Sequence, residues 1–366
     1  MTAITAFTPV ASTRRCPLWS ARAPPAPAVA HDASRMIRPD EIDRFLVGAG
    51  WARAQRHPLA GDASARSYHR LVQGAHCAIL MDAPPGSGLT VTPFLAVTAW
   101  LRGLGLSAPE VYAADPALGL VLLEDLGDAL YIDLAADPAR EPELYAAAID
   151  LVADLQTHLP APSRDWTPPP YDRAVLIREM RLVPDWYLPA ATGAATSPDL
   201  AAEFDAVIEP IVAIALDAPP CPTLRDYHAE NLLWLPGRTG HARVGLLDYQ
   251  DLLIGHPAYD VVSLLEDARR DVPAALRDAM MDRYVARSGA DRPAFLRAAG
   301  ALAAQRNLKI LGLFVRLARR DGKPGYLRRL PRVWDHLRRD LAHPDLARLR
   351  AWTDRYVPAP GALVPA

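Results

Sequence analysis

Residues 224–233 of the chain read LRDYHAENLL, and residues 244–251 read VGLLDYQD. The first stretch carries Asp226 and, five positions later, Asn231, and each stretch contains a short apolar run that is typical of a strand. Asp248 follows the second apolar run. Turn-forming residues separate the two runs, so the pattern predicts a short hairpin with polar side chains gathered at one end.

These three side chains have the chemical types that phosphoryl transfer requires. One carboxylate must accept or orient the proton of the acceptor hydroxyl, while an amide oxygen and a second carboxylate hold Mg²⁺ against the phosphates. In kinases, an Asp-x4-Asn loop and an aspartate at the end of the next strand supply this set. We therefore predict that Asp226 is the catalytic base, that Asn231 and Asp248 bind the metal, and that ATP and Mg²⁺ are the cofactors. The alternative is that the two aspartates are ordinary turn and strand-end residues.

The remaining sequence divides into a β-rich first part and an α-rich second part. The first part predicts strands at 66–72, 76–82, 111–114 and 118–123 and a helix at 91–104. The second part predicts a strand pair and mainly helices, with the strands at 232–235 and 244–247 and the helices at 142–159, 199–216, 259–270, 273–287, 293–319 and 331–341.

This order of elements predicts an α+β fold of the two-lobed, protein-kinase-like kind. We expect a small N-lobe at 36–125 that binds the nucleotide and a larger C-lobe at 126–366 that holds the catalytic loop, with ATP between them. Residues 1–35 are rich in proline and small residues, which predicts a disordered extension or a start codon placed too early.

Composition argues against several classes of protein. The chain has 51% hydrophobic and 22% charged residues, as globular domains do, and its formal net charge of −2 argues against a nucleic acid partner. No apolar run is long enough to span a membrane, and three widely spaced cysteines fit a reducing compartment, so we expect a cytoplasmic protein. Only two of its 40 basic residues are lysines, Lys309 and Lys323, and neither lies in a Walker A phosphate loop.

From Met36 to about Leu341 the chain resembles the aminoglycoside-phosphotransferase superfamily of kinase-like proteins, and within it the anomeric N-acetylmuramate/N-acetylglucosamine kinases. The resemblance implies ATP-dependent phosphorylation of the sugar's C1 hydroxyl to the α-1-phosphate, in peptidoglycan recycling. It also implies that Asp260 buttresses the catalytic loop. The segments that carry the resemblance are Gly61–Tyr68, Leu80–Pro85, Leu123–Gly127, Asp185–Leu188, Asp226–Leu232, Leu247–Asp251, Gln305–Lys309 and Arg320–Lys323.

The nucleotide-binding part departs from the usual kinase pattern because it contains no lysine. Met81 lies near the position where kinases place the lysine that pairs with the ATP phosphates. We hypothesise that Arg66, or less favourably Arg70, supplies the positive charge, since a guanidinium can bind phosphate through two parallel hydrogen bonds.

Two further segments are predicted to contact ATP. Small residues at Gly61–Ser64 let backbone N–H groups approach phosphates, and the Ser64 hydroxyl adds a donor, although a plain polar turn is the alternative. Residues 123–127 would form the hinge between the lobes, where the backbone of Glu124 and Leu126 can pair with adenine.

Four cations occupy an arc of about 80° on the helix predicted at 293–319 and just beyond it. One interpretation is a solvated basic stripe. The other is that Arg306 and Lys309 face the acceptor, where they could bind the lactyl carboxylate of N-acetylmuramate. The complete set is Arg306, Lys309, Arg316 and Arg320.

Three more residues are candidates for contact with the acceptor. Glu179 is a candidate in the acceptor cleft, and Trp186 offers a ring that suits a sugar face, although a Trp-Tyr pair more often packs in a core. His228 either contacts the substrate or shapes the catalytic loop. Its His-x-Glu pattern resembles half of a zinc deaminase motif, but the Pro-Cys-x-x-Cys half is missing.

Two alternatives stay open from the sequence. The chain could be a superfamily kinase with another small-molecule acceptor, such as an aminoglycoside, choline or homoserine. It could also be a pseudokinase that binds without catalysis, because the usual lysine is missing. The oligomeric state is left without a prediction.

Overall fold

The computed structural model describes residues 38–59 and 66–364. It separates into two compact units, with the boundary after Asp128. The first unit is built around a sheet and the second around helices, so the predicted α+β class is confirmed. The predicted extension at 1–35 and the predicted phosphate loop at Gly61–Ser64 lie outside the described residues.

A five-stranded antiparallel sheet forms the first unit, in the strand order β1-β2-β3-β5-β4. The β2–β3 hairpin turns at Gly74, whose φ of 62° costs a glycine no steric strain. The elements are α1 (Pro39–Gly48), β1 (Gln55–Pro58), β2 (Ser67–Gln73), β3 (His76–Asp82), α2 (Thr92–Gly103), β4 (Val111–Asp115) and β5 (Leu120–Glu124).

Alternation along the strands explains how this sheet is stabilised. Every second residue of β3 and β5 points to one face, and that face buries apolar side chains against α1 and the residues after it. Each buried leucine contributes about 1.5–3 kcal/mol relative to an exposed one. The cluster consists of Leu46, Trp51, Leu71, Ala78, Leu80, Leu120 and Leu122.

The second unit is mainly helical and contains two short antiparallel ladders, β6 with β9 and β7 with β8. The ladders are formed by β6 (Cys221–Thr223), β7 (Leu232–Trp234), β8 (Val244–Leu246) and β9 (Leu253–Gly255). The helices are α3 (Tyr131–Leu134), α4 (Glu141–Leu155), α5 (Arg173–Met180), a π-helix (Val183–Tyr187), α6 (Leu188–Thr192), α7 (Pro198–Ala215), α8 (Ala258–Leu265), α9 (Ala274–Ser288), α10 (Arg292–Arg319), α11 (Leu330–Asp340) and α12 (Ala347–Tyr356).

Helix α10 runs through the middle of this unit. Buried residues occur all around its circumference between Ala298 and Leu317, as expected for a helix enclosed by other elements. Gly312 lies where α10 passes the backbone just before the π-helix. A Cβ at this position would lie 2.1 Å from the carbonyl oxygen of Leu182. The close approach of these two segments therefore requires glycine.

We expect Gly312→Ala to lower the free energy of unfolding by about 3 kcal/mol, because backbone atoms of Leu182 cannot yield as a flexible side chain would. Urea unfolding followed by circular dichroism measures the change. Gly300→Ala on the same helix is the matched control, since its Cβ would meet only the His343 ring at 3.8 Å. Equal stability of the two variants would contradict the close packing of α10.

Short elements are where sequence and structure differ most. The pairing of β6 with β9, the helices α5, α6 and α12, and the strand β1 were not predicted. The helix predicted at 259–270 ends at Leu265. These elements have three to ten residues, which gives few positions for a periodic pattern, and the partners of the short strands are distant in sequence. In the residues that the structure describes, no helix has the length and apolarity that a membrane crossing requires.

Candidate active site

After β6 the chain turns into the loop that carries Asp226. Arg225 has a φ of 70°, in the left-handed region that non-glycine residues rarely adopt. The backbone N–H groups of Leu224 and Arg225 donate to the two carboxylate oxygens of Asp260 at 2.7 and 2.8 Å. The Ser263 hydroxyl donates to the Arg225 carbonyl at 3.0 Å. Helix α8 therefore holds the backbone of the residue that precedes Asp226.

Asp260 is fully buried in the first turn of α8. Burial raises the pKa of its carboxyl to about 7, against the two backbone N–H donors, which favour the ionised form. The helix N-terminus also favours a negative charge at this position. These contacts correspond to the buttressing role that the resemblance implies for Asp260.

The carboxylate of Asp226 is available to a ligand. It is half-buried, and no residue that the structure describes donates a hydrogen bond to it. Its charge interacts with the guanidinium of Arg225 and with Asp260. An ionised carboxylate with open lone pairs can accept the proton of an approaching hydroxyl.

Asn231 is oriented by its own side-chain amide. Its Nδ2 lies 3.0 Å from the backbone oxygen of Asp226 and 3.3 Å from Nε2 of His228. An asparagine amide carries two donor hydrogens, so both have an acceptor within the loop. The atom that remains for a cation is Oδ1, which is the oxygen type that Mg²⁺ prefers.

His228 helps to fix the orientation of the Asn231 amide. It is 1% exposed, and burial, reinforced by the charges of Arg269, Arg306 and Arg329, lowers the pKa of its imidazole well below the ordinary value. The neutral ring can accept a hydrogen bond at Nε2, as the Asn231 amide requires. The predicted contact of His228 with the substrate stays a proposal; in the structure its ring is closed off from solvent, and Nε2 lies 3.3 Å from the Asn231 amide nitrogen.

Asp248 lies at the same end of the β7–β8 ladder as Asn231. The backbone N–H of Leu247 donates to the Asn231 carbonyl at 2.9 Å, and Asp248 is the next residue. Its φ of 55° turns the chain out of the strand, and its side chain is exposed. Gln250 donates through Nε2 to Asp248 Oδ1 at 2.6 Å. The ladder thus brings the amide and the carboxylate to one edge.

The donor set fits Mg²⁺ that is shared with phosphates. Among the residues that the structure describes, no three His, Cys, Asp or Glu side chains gather into a metal site. Mg²⁺ in nucleotide-binding proteins is usually held by one or two protein oxygens and completed by phosphates and water. The oxygens of Asn231 and Asp248 correspond to that mode of binding.

Glu179 is held in the interior by four donors. The Arg225 guanidinium and Lys309 Nζ, the latter at 3.1 Å, contact Oε1. The Tyr171 hydroxyl and Gln305 Nε2, the latter at 3.0 Å, donate to Oε2. Three hydrogen bonds and the ion pair with Lys309 thus engage a carboxylate that offers about four lone-pair positions. The predicted contact of Glu179 with the acceptor stays a proposal, and in the structure its carboxylate is engaged by these four side chains.

Burial opposes ionisation of Glu179, but the charges of Lys309 and Arg225 and the hydrogen bonds outweigh it and lower its pKa from 4.5 to about 2. The unfolded chain thus binds this proton at a higher pH than the folded chain does. The ionised carboxylate of Glu179 therefore contributes about 3 kcal/mol to the free energy of unfolding. This contribution is complete above pH 4.5 and is lost as the pH falls towards 2.

We expect the difference in unfolding free energy between wild type and Glu179→Gln to shrink by more than half between pH 6 and pH 3. Urea unfolding at each pH measures it. Glu209→Gln, which removes the carboxylate of the exposed pair with Arg173, controls for general effects of acid. A pH-independent difference for Glu179→Gln would contradict the assigned ionisation.

The predicted basic stripe on α10 is not solvated near its middle. Arg306 is 4% exposed and donates to the backbone oxygen of Glu266 at 3.0 Å. Lys309 contacts Glu179 and lies 3.5 Å from the hydroxyl of Tyr259. The solvated interpretation fails for these two because α10 is enclosed on all sides. The predicted contact of Arg306 with the acceptor's carboxylate stays a proposal, and the Arg306 side chain is buried in the structure.

Trp186 is half-buried in the π-helix Val183–Tyr187. Its neighbour Tyr187 is fully buried and donates to the backbone oxygen of Pro358 at 2.7 Å, so Tyr187 belongs to the core. Single π-turns are frequent at functional sites. Trp186 keeps an exposed part and remains a proposed contact for a sugar.

In the first unit, Arg70 is committed to neighbouring carboxylates. Its guanidinium contacts Asp125 at 2.6 Å and Asp128 at 2.8 Å. Arg66, at the start of β2, is buried. Both arginines stay proposals for phosphate binding: Arg70 has two carboxylate partners of its own, and the side chain of Arg66 is buried.

The proposed adenine-binding segment follows β5. The N–H of Glu124 donates to the Glu110 carbonyl at 2.7 Å, and that of Gly127 donates to Asp125 Oδ1 at 2.9 Å. Both donors are therefore occupied. The backbone N–H of Leu126 and the carbonyl of Glu124 stay the groups proposed to pair with adenine.

Sequence reasoning gave no role to Gln250, Ser263 or the side chain of Arg225. Gln250 stands two residues after Asp248, and this proximity was a usable signal. Ser263 lies far from the loop in sequence, and its contact arises only from the packing of α8.

The fold and this loop define a class of enzyme. Residues 55–298 match the family model described as the phosphotransferase enzyme family. The chain therefore belongs to the phosphotransferase enzyme family, and its kinase-like fold and phosphotransferase activity class agree with the sequence predictions.

Four relatives that match this chain carry the name N-acetylmuramate/N-acetylglucosamine kinase. The protein from Caulobacter vibrioides is 41% identical over 346 residues, which cover 86% of this chain and 95% of that protein. The protein from Pseudomonas aeruginosa is 35% identical over 324 residues, covering 84% and 91%. The resemblance stated from the sequence motifs is confirmed.

A solved structure of aminoglycoside phosphotransferase APH(2'')-Ib, with ADP bound, is similar in fold. Its TM-score is 0.57 at 13% sequence identity, over 82% of this chain and 97% of that one. At this identity the likeness concerns the fold alone.

Proposed function

We propose that the protein transfers phosphate from ATP to the anomeric C1 hydroxyl of N-acetylmuramate and N-acetylglucosamine. The product would be the α-1-phosphate, in peptidoglycan recycling. The observation that carries the proposal is the loop in which Asp226 keeps an available carboxylate while Asn231 and Asp248 present oxygens at one edge. Identity of 41% to a relative with this name supports the choice of acceptor. We place the reaction in the cytoplasm, where ATP is available.

Each residue of the loop would have a separate task. Asp226 accepts a hydrogen bond from the C1 hydroxyl, orients it and takes its proton as the oxygen bonds to the γ-phosphorus of ATP and the bond from that phosphorus to the departing ADP breaks. Asn231 and Asp248 would hold Mg²⁺, which when bound neutralises charge on the phosphates. His228 would keep the Asn231 amide turned so that Oδ1 stays available to a bound cation.

An ADP-release assay with Mg-ATP and a panel of acceptors tests the proposal. The panel contains N-acetylmuramate, N-acetylglucosamine, choline, homoserine and kanamycin, and phosphorus NMR identifies the phosphorylated position. We expect turnover with both amino sugars and a phosphate on C1. Turnover with only choline, homoserine or kanamycin would show that the acceptor is not an amino sugar. ATP binding without turnover on any acceptor would favour a pseudokinase.

We expect Arg66→Ala to weaken ATP binding about tenfold, because it removes a charge-assisted contact to phosphate. Isothermal titration with a non-hydrolysable ATP analogue measures the Kd. Arg56→Ala is the control in the same unit, since Arg56 is paired with Asp43 at the surface. Unchanged ATP affinity of the Arg66→Ala variant would show that Arg66 does not contact the phosphates.

A further inference from the structure

The four donors of Glu179 join parts of the second unit that are distant in sequence. Tyr171 precedes α5, Arg225 belongs to the catalytic loop, and Gln305 and Lys309 lie one turn apart on α10. Glu179 itself lies on α5 and is 7% exposed. A saturated carboxylate at this position connects the catalytic loop to the two helices.

Arg225 is held at both of its ends. Its backbone is bound by Asp260 and Ser263 on α8, while its guanidinium contacts Glu179 and lies 5.7 Å from the centre of the Tyr171 ring. A non-glycine residue with a positive φ persists only where its surroundings hold it. The side-chain anchor therefore helps to define the conformation of the residue next to the base.

The same anchor keeps the guanidinium engaged. The charges of Arg225 and Asp226 attract each other, yet the structure gives Arg225 the partners Glu179, the Asp251 carbonyl and the Tyr171 ring instead. Without Glu179, the nearby carboxylate of Asp226 would be the preferred partner of the guanidinium, because a half-buried cation seeks an opposite charge. Such a pair would occupy the lone pairs that the acceptor hydroxyl needs.

We propose that Glu179 is a positioning residue for catalysis: by holding the Arg225 side chain, it keeps the Asp226 carboxylate open and correctly placed for the acceptor. This inference rests on the proposed function, in which Asp226 is the base. Lys309 contributes as the second cation beside Glu179, because its charge helps to keep the carboxylate ionised.

The test is a double-mutant cycle on kcat with Glu179→Gln and Arg225→Gln. Glu179→Gln is expected to lower kcat about 10- to 100-fold, as misplacement of a reacting group does, with KM for sugar and for ATP changed less than about threefold. In the Arg225→Gln background, adding Glu179→Gln should lower kcat little further, because the two side chains act as one unit. Glu209→Gln, which removes the carboxylate of an exposed arginine pair, should keep wild-type kcat.

Three results would overturn the inference. The first is a rise in KM for the sugar with kcat unchanged, which would indicate that Glu179 binds the sugar directly. The second is a fully additive loss of kcat in the cycle, and the third is a wild-type kcat for Glu179→Gln. Glu179→Gln leaves the charge of Lys309 without its carboxylate partner. If that variant fails to fold, the double variant Glu179→Gln/Lys309→Met is used in its place, because it removes the unpaired charge as well. Recovery of both melting temperature and kcat in that variant would then overturn the positioning role.

Wild-type turnover is measured first with the acceptor panel. An inactive wild type overturns the proposed function, whereas an active wild type with an equally active Glu179→Gln overturns only the inference about positioning.

Discussion

Asp226→Asn is expected to lower kcat about 10³-fold while leaving ATP affinity and unfolding free energy near their wild-type values. An amide cannot take the proton of the acceptor hydroxyl, and general bases contribute roughly 10²–10⁴-fold. The fold should tolerate the change, since the side chain receives no hydrogen bond from the described residues and its contact with Asn231 uses the backbone oxygen.

Steady-state ADP release measures kcat, and titration with an ATP analogue measures affinity. Asp251→Asn is the matched control: Asp251 is an exposed aspartate close to the loop, and its contact with Arg225 is through the backbone carbonyl. The Asp251 variant should retain activity. A loss of less than tenfold for Asp226→Asn would show that another group takes the proton.

Asp248→Asn is expected to lower kcat/KM for Mg-ATP at least about 100-fold at a fixed, moderate Mg²⁺ concentration. A carboxylate ligand neutralises charge that an amide cannot, and metal-assisted stabilisation amounts to several kcal/mol. Asparagine is well suited to the backbone at this position, because its φ of 55° lies in the left-handed region that asparagine and aspartate tolerate.

The effect should therefore fall on the metal and not on the fold. Activity measured across a series of Mg²⁺ concentrations should show an increased metal requirement, with part of the loss recovered at high Mg²⁺. The melting temperature without metal should match wild type. An unchanged Mg²⁺ requirement would remove Asp248 from the metal site.

Features that depend on neighbouring positions could be predicted from the sequence. The hairpin of β2 and β3 and the long helices α4, α7, α9 and α10 each produce a periodic pattern within one segment. The loop from Asp226 to Asn231 and the strand that ends before Asp248 are equally compact in sequence. Their residue types, together with the strand and turn that set their spacing, indicated phosphoryl transfer.

Features that depend on distant neighbours could not be predicted in the same way. Arg306 and Lys309 have the spacing of a surface stripe, yet α10 is enclosed, and both are directed into the interior. His228 was a candidate ligand by type, but its burial makes it a neutral acceptor for the Asn231 amide. In each case the burial of the side chain is decided by elements far away in the chain.

The sequence by itself determined the class of chemistry, the α+β composition and the residues proposed for base and metal, since these are written in short local patterns. The tertiary structure alone decided which carboxylates are available. Asp226 is open to a hydroxyl, Asp260 is bound to two backbone N–H groups, and Glu179 is saturated by four donors. The three carboxylates differ in the donors that folding brings to them, and no local pattern records those donors.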